Sequence, residues 1–468
     1  MRKNPASFRD PSGSVYEDAS GIYRTIASDY SEEWTALRES GLLSEAVDRK
    51  QLISFEEVTP PEPEALPRAW KYLRVTRLPF ISYPYEWSFS QLQQAALLTL
   101  DLHLQALEKG FTLKDASAYN VQFLDGRPIF IDLLSFERWK EGQSWQAYGQ
   151  FCTHFLAPLA LMAFVDLRCG TLSRQWIDGV PLDFACRLLP WRLRMKPGLG
   201  MHLFLHAHMR DKHADGRAAA EKVKKNHLSL QNMKDVAQSL RACVASLSPC
   251  RQTTEWGDYY TDTNYTDAAA QAKAGIVRET AARHPGALAV DIGANDGTYS
   301  RLLGPSFHTV LATDFDPMAV ERHARQYANE SANILPLVVD ALAPTPAIGW
   351  ANEERASFAA RCKADFLLAL AVCHHLVITG GIPLERIALW FSSLLRNNGI
   401  ALVEFVPRAD SQVERLLAAR DDIFTSYTEE NFIAAFAQAG FTHLQRHELP
   451  ESCRTLHVFQ KARPCFPA

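Results

Sequence analysis

VDIGANDGTYS, residues 290–300, joins an apolar run to a helical pattern. Gly293 and Gly297 carry no Cβ, so the backbone can turn sharply between strand and helix and approach a ligand closely. A dinucleotide-binding turn would read G-x-G-x-x-G and hold a diphosphate on the helix N-terminus. Here Ala294 and Asn295 follow the first glycine, and Asp291 stands just ahead of it. A carboxylate would repel a diphosphate, but it suits a ligand carrying an ammonium group. Outward from this turn, ALAVDIG, TVLATDFD, NILPLVVD, ADFLLALAV and GIALVEFV alternate with helical patterns. Runs apolar throughout predict strands covered on both faces, hence a parallel sheet in an α/β domain. THLQRHEL and TLHVFQK predict two closing strands, paired antiparallel. Between them and the last parallel strand, SYTEENFIAAFAQAG predicts a helix with Ser426 and Glu429 as a capping box and Gly440 as its stop. Asp291, Asp314 and Asp340 each close or nearly close one of the first three runs.

Over about 255–465 this order resembles the class I S-adenosylmethionine (SAM) methyltransferases, whose fold is a Rossmann-like, mostly parallel seven-stranded sheet. The resemblance implies SAM as cofactor. It places Asp291, Gly293, Ala294, Asn295 and Gly297 at the methionine end, Asp314 and Phe315 at the ribose, and Asp340 and Ala341 at the adenine. Tyr259, Tyr260, Tyr265 and Lys273 precede or begin the first helix, where rings would cover the sulfonium by cation–π attraction; simple packing is the other reading. LALAVCHHLVI puts His374 and His375 on the acceptor side. An imidazole near its ordinary pKa of about 6.5 suits a general base, although either ring could simply pack. Glu404, in VEFVP, would orient that histidine or the acceptor, or pair with Arg408. IPLERIALWFSSLL and LLAARDDIF, with DASAYNVQF, IDLLSFE and FCTHFLAPLAL in the first half, resemble the methyltransferases related to rhizobial NoeA-type nodulation proteins. That family's acceptors are poorly defined, and a small molecule, glycan or peptide side chain is expected here.

The first half raises another chemistry. DASAYNVQFLDGRPIFID, 115–132, resembles the catalytic loop of kinase-like phosphotransferases, with Asp115 as proton acceptor and Asn120 and Asp132 as Mg²⁺ holders. No glycine lies between Gly41 and Gly110 to form a phosphate flap, and Leu133–Leu134 follow Asp132 where Phe-Gly would stand. Active phosphotransfer, a lobe turned to binding, and chance turn chemistry remain the readings; a remnant or docking lobe is expected. The rival functions are a kinase-like scaffold whose second half only senses SAM, and a bifunctional kinase–methyltransferase.

At 468 residues the chain predicts a polar tail over 1–30, a mainly helical α+β, degenerate kinase-like domain over 31–245, a linker over 246–258 and the methyltransferase domain over 259–468. Within the first domain a helix is expected at 31–49, a Pro-broken connection at 60–70, a strand in KYLRVTRLPFI, a helix at 89–110 and a hairpin turning at Asp125–Gly126. A net charge of −4 gives no bulk attraction for nucleic acid or an acidic membrane. Nine scattered cysteines without a CxxC pair predict reduced thiols and a cytoplasmic protein. FLAPLALMAFV, 155–165, is too short to cross a bilayer and reads as a buried helix, so no membrane partner is expected. His202, His206 and His208 have partial metal spacing but no completing ligand, so no metal is expected. Residues 187–225 carry ten Lys/Arg against three Asp/Glu, a solvated face or a surface for an anionic partner.

Overall fold

The computed structural model describes residues 1–59, 69–212, 229–250, 266–327, 333–418 and 423–462. The chain forms two compact units, Met1–Gln252 with Ile348–Arg355, and Thr253–Ala347 with Ala356–Ala468.

The first unit opens with a five-stranded antiparallel sheet, β1 (Arg2–Lys3), β2 (Val15–Glu17), β3 (Ile22–Ile26), β4 (Phe55–Val58) and β5 (Lys71–Val75), in the order β1-β2-β3-β5-β4. Residues 1–30, expected as a polar tail, therefore supply three of its strands, and Tyr23 and Ile26 are buried. Charged residues between the apolar ones hid this short-strand pattern. The helix expected at 31–49 is two helices, Ser31–Glu39 and Leu42–Asp48, because Gly41 breaks it at φ 75°. Helix Phe89–Glu108 starts at a reciprocal cap between Ser88 and Gln91 and stops before Gly110, which sits at φ 80°. Two strand pairs follow: β6 (Phe111–Leu113) with β9 (Phe136–Arg138), and β7 (Val121–Leu124) with β8 (Arg127–Phe130). Asp125 and Gly126, both at positive φ, make the hairpin turn between β7 and β8. Most of FLAPLALMAFV is buried, over the end of a π-helical turn, Cys152–Leu156, and helix Ala157–Phe164. The excursion Ile348–Arg355 also belongs to this unit: its ends bridge each other, and the Arg355 guanidinium lies 4.2 Å from the centre of the Tyr119 ring.

The second unit is built on β10 (Gly286–Ile292), β11 (Phe307–Asp314), β12 (Ile334–Val338), β13 (Ala364–Ala369), β14 (Leu395–Phe405), β15 (Phe441–Glu448) and β16 (Thr455–Lys461). Their order is β12-β11-β10-β13-β14-β16-β15, with β10 to β14 parallel and β16 antiparallel to both its neighbours. Every residue of β13 is buried, as a strand covered on both faces requires. From β10 the chain builds outward through β11 and β12, then returns to start β13 on the other side. The turns after β10 and β13 therefore flank a topological switch point, where open α/β sheets place their ligands. Helix Glu429–Gln438 is capped by the Thr428 side chain, not by Ser426; Gly440 does end it, at φ 84°.

Candidate active site

The turn after β10 is folded by its own hydrogen bonds. The amides of Gly293 and Ala294 donate to the Thr313 carbonyl of β11, at 2.8 and 2.9 Å, and the Gly297 amide donates to Ala294, at 2.9 Å. Gly293, Asn295 and Gly297 all lie at positive φ, 74°, 50° and 79°. A Cβ on Gly293 would strike Val372, and one on Gly297 would fall within the His323 ring. The glycines are thus demanded by the protein's own packing, whereas the sequence had suggested close approach to a ligand. Asp291 is buried beside the turn and accepts a hydrogen bond from Ser300 Oγ at 2.6 Å. Burial pushes its carboxyl up to about 7, a burden that a cation in the site would relieve.

Asp314 lies at the end of the neighbouring strand. Its two oxygens accept the Asn295 and Asp316 amides at 2.8 and 2.9 Å, and burial raises it to about 6. The Phe315 amide also bonds to this carboxylate, which leaves about one of its roughly four acceptor sites for a ligand hydroxyl. Phe315, next in sequence, is half exposed (51%) and offers an apolar ring beside that carboxylate. Asp340, beyond β12, is exposed and accepts the Leu342 amide at 2.8 Å, with half-buried Ala341 between them. This donor and acceptor set fits the cofactor that the sequence implies: a buried acid for an ammonium, and a second acid with an apolar ring beside it for a ribose.

On the acceptor side the expectations need correction. Ala371, in the turn after β13, sits at φ 53°, and His374 and His375 follow. Their rings stand 4.1 Å apart. His374 is fully buried, and neither of its ring nitrogens has a hydrogen-bond partner among the described residues. Burial pushes both imidazoles down, His375 to about 4 and His374 well below its ordinary value, aided at both by Arg454 and at His374 by His375 and Lys273. A titration near 6.5, expected from sequence, is therefore replaced by rings that stay neutral at physiological pH. Glu404 pairs with Lys273, Nζ to Oε2 2.7 Å, with both side chains out of solvent. Arg408 instead donates to the Phe424 carbonyl. Lys273, expected at the cofactor, is held in this pair, and its ammonium lies 5.0 Å from the centre of the Tyr299 ring. Tyr259, Tyr260 and Tyr265 lie outside the described residues. Sequence reasoning missed Tyr299, although GTYS displays it, and the buried Arg454–Asp410 pair, 2.7 Å, whose partners are too far apart in sequence to signal each other.

A profile described as a methyltransferase domain matches residues 266–446. Across 464 residues the chain is 34% identical to the nodulation protein NoeA of Rhizobium meliloti (strain 1021), covering 97% of this chain and 95% of that protein. The chain belongs to the NoeA family. Its second unit is a class I methyltransferase, and the chain is a SAM-dependent enzyme. Among solved structures it is similar to the N-methyltransferase NodS of Bradyrhizobium japonicum WM9 in complex with S-adenosylhomocysteine, at 12% identity over 45% of this chain and 100% of that one, TM-score 0.33. The magnesium protoporphyrin IX methyltransferase of Synechocystis PCC 6803 matches at 17% identity over 44% of this chain and 89% of that one, TM-score 0.30.

In this NoeA-family chain the first unit does bring Asp115, Asn120 and Asp132 together. Asn120 bonds to Asp115, and the charge of Asp132 joins burial in raising the Asp115 carboxyl. Both acids already have protein partners. Gln150 Nε2 donates to Asp115 at 2.8 Å, Ser135 Oγ donates to Asp132, and the Arg24 guanidinium of β3 joins Asp132 to Asp10, at 2.5 and 2.6 Å. His202 is likewise satisfied, by the Tyr148 and Ser239 hydroxyls at 2.8 and 2.9 Å. Among the described residues no group of three or more His, Cys, Asp or Glu side chains is arranged to hold a metal. No helix among them is long and apolar enough to cross a membrane.

Proposed function

We propose that this enzyme methylates a hydroxyl or amine of a small molecule, glycan or peptide side chain, and that His374 takes the acceptor's proton. The observation carrying this reading is a fully buried imidazole with both nitrogens lacking a hydrogen-bond partner among the described residues. Such a group costs about 1–3 kcal/mol to leave unsatisfied, so an acceptor O–H or N–H is its natural complement. SAM supplies an electrophilic methyl group on a sulfonium. Asp291, Gly293, Ala294, Asn295 and Gly297 would hold its methionine end, Asp314 and Phe315 its ribose, and Asp340 and Ala341 its adenine. A depressed imidazole is neutral at pH 7, so one ring nitrogen is ready to accept a proton. His375 packs against that ring and fixes its orientation. The Lys273–Glu404 and Arg454–Asp410 pairs balance charge around it, as positioning residues. The cytoplasm, where free thiols persist, is the proposed location.

Labelled SAM, with extracts as the acceptor source, provides the test. His374→Ala should lower transfer about 10²–10⁴-fold, the usual worth of a general base, while calorimetric affinity for S-adenosylhomocysteine stays unchanged. Asp314→Asn should instead weaken that affinity at least about tenfold, since hydrogen bonds to a charged acceptor contribute about 1.5–3 kcal/mol each. Full transfer by His374→Ala across neutral pH would remove the base and leave the cofactor site standing. No heat with the parent protein would remove the cofactor assignment itself.

For the first unit, the Arg24 bridge favours a kinase-like remnant. It occupies Asp132, the acid that a metal would need, so a phosphotransfer step is not the reading adopted, nor is a SAM-sensing scaffold. Hydrolysis of ATP by the parent that Asp132→Asn abolished would reverse this.

A further inference from the structure

We propose that the exposed face formed by residues 187–209 of the first unit docks on the surface of an anionic lipid membrane. The expectation of no membrane partner rested on the lack of a spanning segment and on a net charge of −4, which gives no bulk attraction to an acidic membrane; this face is a local departure from that bulk charge and would lie on the lipid without crossing it.

Six large apolar side chains point to water within this short stretch: Leu188, Trp191, Met195, Met201, Leu205 and Met209. Trp191 and Met195 are 73% and 74% exposed. Single exposed apolar residues are ordinary, but a group of this size on one local surface marks an interaction site. The spacing explains how three of them share a face. Met201, Leu205 and Met209 recur every four residues along the continuous helical run from Gly200 to Lys212. The opposite side of that run is the buried one: His202, Leu203 and Phe204 face inward. Trp191 and Met195 lie on the short 3₁₀ helix just before it, Trp191–Met195, where a spacing of four turns them about 120° apart, and both are exposed.

Cations predominate around this stripe, with Asp183 paired to Arg187 at 3.4 Å at its edge. From residue 184 to residue 210 the chain has five Lys/Arg and no Asp or Glu. Arg187, Arg192, Arg194 and Lys196 are all exposed among the apolar residues. Arg194 lies 5.5 Å from the centre of the Phe204 ring, and Lys196 5.2 Å from that of Phe164, so their stems lie along apolar surface while their charges stay outside. Apolar side chains that enter the boundary between headgroups and acyl chains, ringed by cations that meet anionic headgroups, make an interfacial membrane surface.

The alternatives fit less well. A symmetric contact with a second copy would set these cations against their own kind. A single-stranded nucleic acid would want several stacking rings, and Trp191 is the one exposed aromatic in the stretch.

The test is co-sedimentation of the whole protein with phosphatidylcholine vesicles, with and without phosphatidylglycerol, at low and high salt. The parent should sediment with the anionic vesicles, stay in solution with phosphatidylcholine alone, and be partly released by salt. Arg192→Gln should weaken partitioning about fivefold, the effect of one cation near an anionic surface. Trp191→Ser with Met195→Ser should abolish the salt-resistant part. Unchanged thermal unfolding and S-adenosylhomocysteine binding in both variants will show that the fold is intact. Parent protein that stays in solution with both vesicle types overturns the proposal. So does a parent dimer that the Trp191→Ser, Met195→Ser variant converts to monomer, which would make the face a contact between copies.

Discussion

Replacing Lys273 by Met should be among the most damaging single changes in the second unit. The ammonium is 2% exposed and its partner Glu404 0%, with 2.7 Å between the charged atoms. Burial alone would drive the lysine toward its neutral form, and Glu404 is the main influence that keeps it charged. Without Lys273 the carboxylate is left in the interior with an uncompensated charge, which typically costs about 3–5 kcal/mol. For a unit of this size that corresponds to a fall in Tm of roughly 6–20 °C. Two units can unfold separately, so the relevant transition is the one that S-adenosylhomocysteine raises, because a ligand stabilises only the unit it binds. The deficit should shrink as pH falls toward about 5, where an orphaned carboxylate can escape by taking up a proton. Adding Glu404→Leu should recover most of the loss, since a buried pair replaced by apolar groups of similar volume is often neutral. A single Lys273→Met variant within about 1 kcal/mol of the parent would refute the reasoning. That is the scale of an exposed pair, and it would mean that water reaches these charges.

Gly297→Ala should destabilise the second unit by more than the roughly 1 kcal/mol of a positive φ alone, because its Cβ would enter the His323 ring; adding His323→Ala should restore part of the Tm, and no restoration would mean that the clash is not the cause. Acid should loosen the first unit ahead of the second. Buried His103 is depressed to about 3, and His154 and His202 to about 4, so between pH 6.5 and 4 the unfolded chain binds protons that the folded unit refuses, and stability falls as pH falls. At pH 5 this is about 2 kcal/mol per histidine. In the second unit Asp291 and Asp314, raised to about 7 and 6, bind protons when folded and oppose the loss from its own histidines. Limited proteolysis from pH 7.5 to 5 should therefore cut within 1–250 first, and earlier cutting in the second unit would contradict the assignment.

The methyltransferase half was legible because its signals are local. Each of the five parallel strands contains a short apolar run bounded by turn residues, and both faces of these strands are covered, so composition and burial point the same way. The acids at strand ends are visible by position alone. The acceptor side depends on pairings between distant residues, 273 with 404 and 410 with 454, and no spacing in a single sequence announces them. The pKa near 6.5 expected of the two histidines was misjudged, since burial, which sequence does not give, sets their protonation. In the first unit the error at 1–30 has another cause. Strands of only two, three and five residues carry too few apolar positions to show a period, and their partner β5 is contributed from residues 71–75.

The turn that decided the fold also shows what a motif measures. Its glycines were read as a tight turn and as room for a ligand; the turn is there, and Val372 and His323 stand where their side chains would be. The D-x-G-x-x-x-G pattern is thus a folding requirement first: it lets three residues at positive φ carry the chain from β10 into the next helix while two amides bond back to Thr313. A chain could keep those glycines after losing its cofactor. The acids are different. Asp291 and Asp314 are buried together at a cost, each pushed toward its neutral form, and folding alone gives no reason to keep both there. The glycines therefore argue for the fold, and the strained acid pair argues for the ligand.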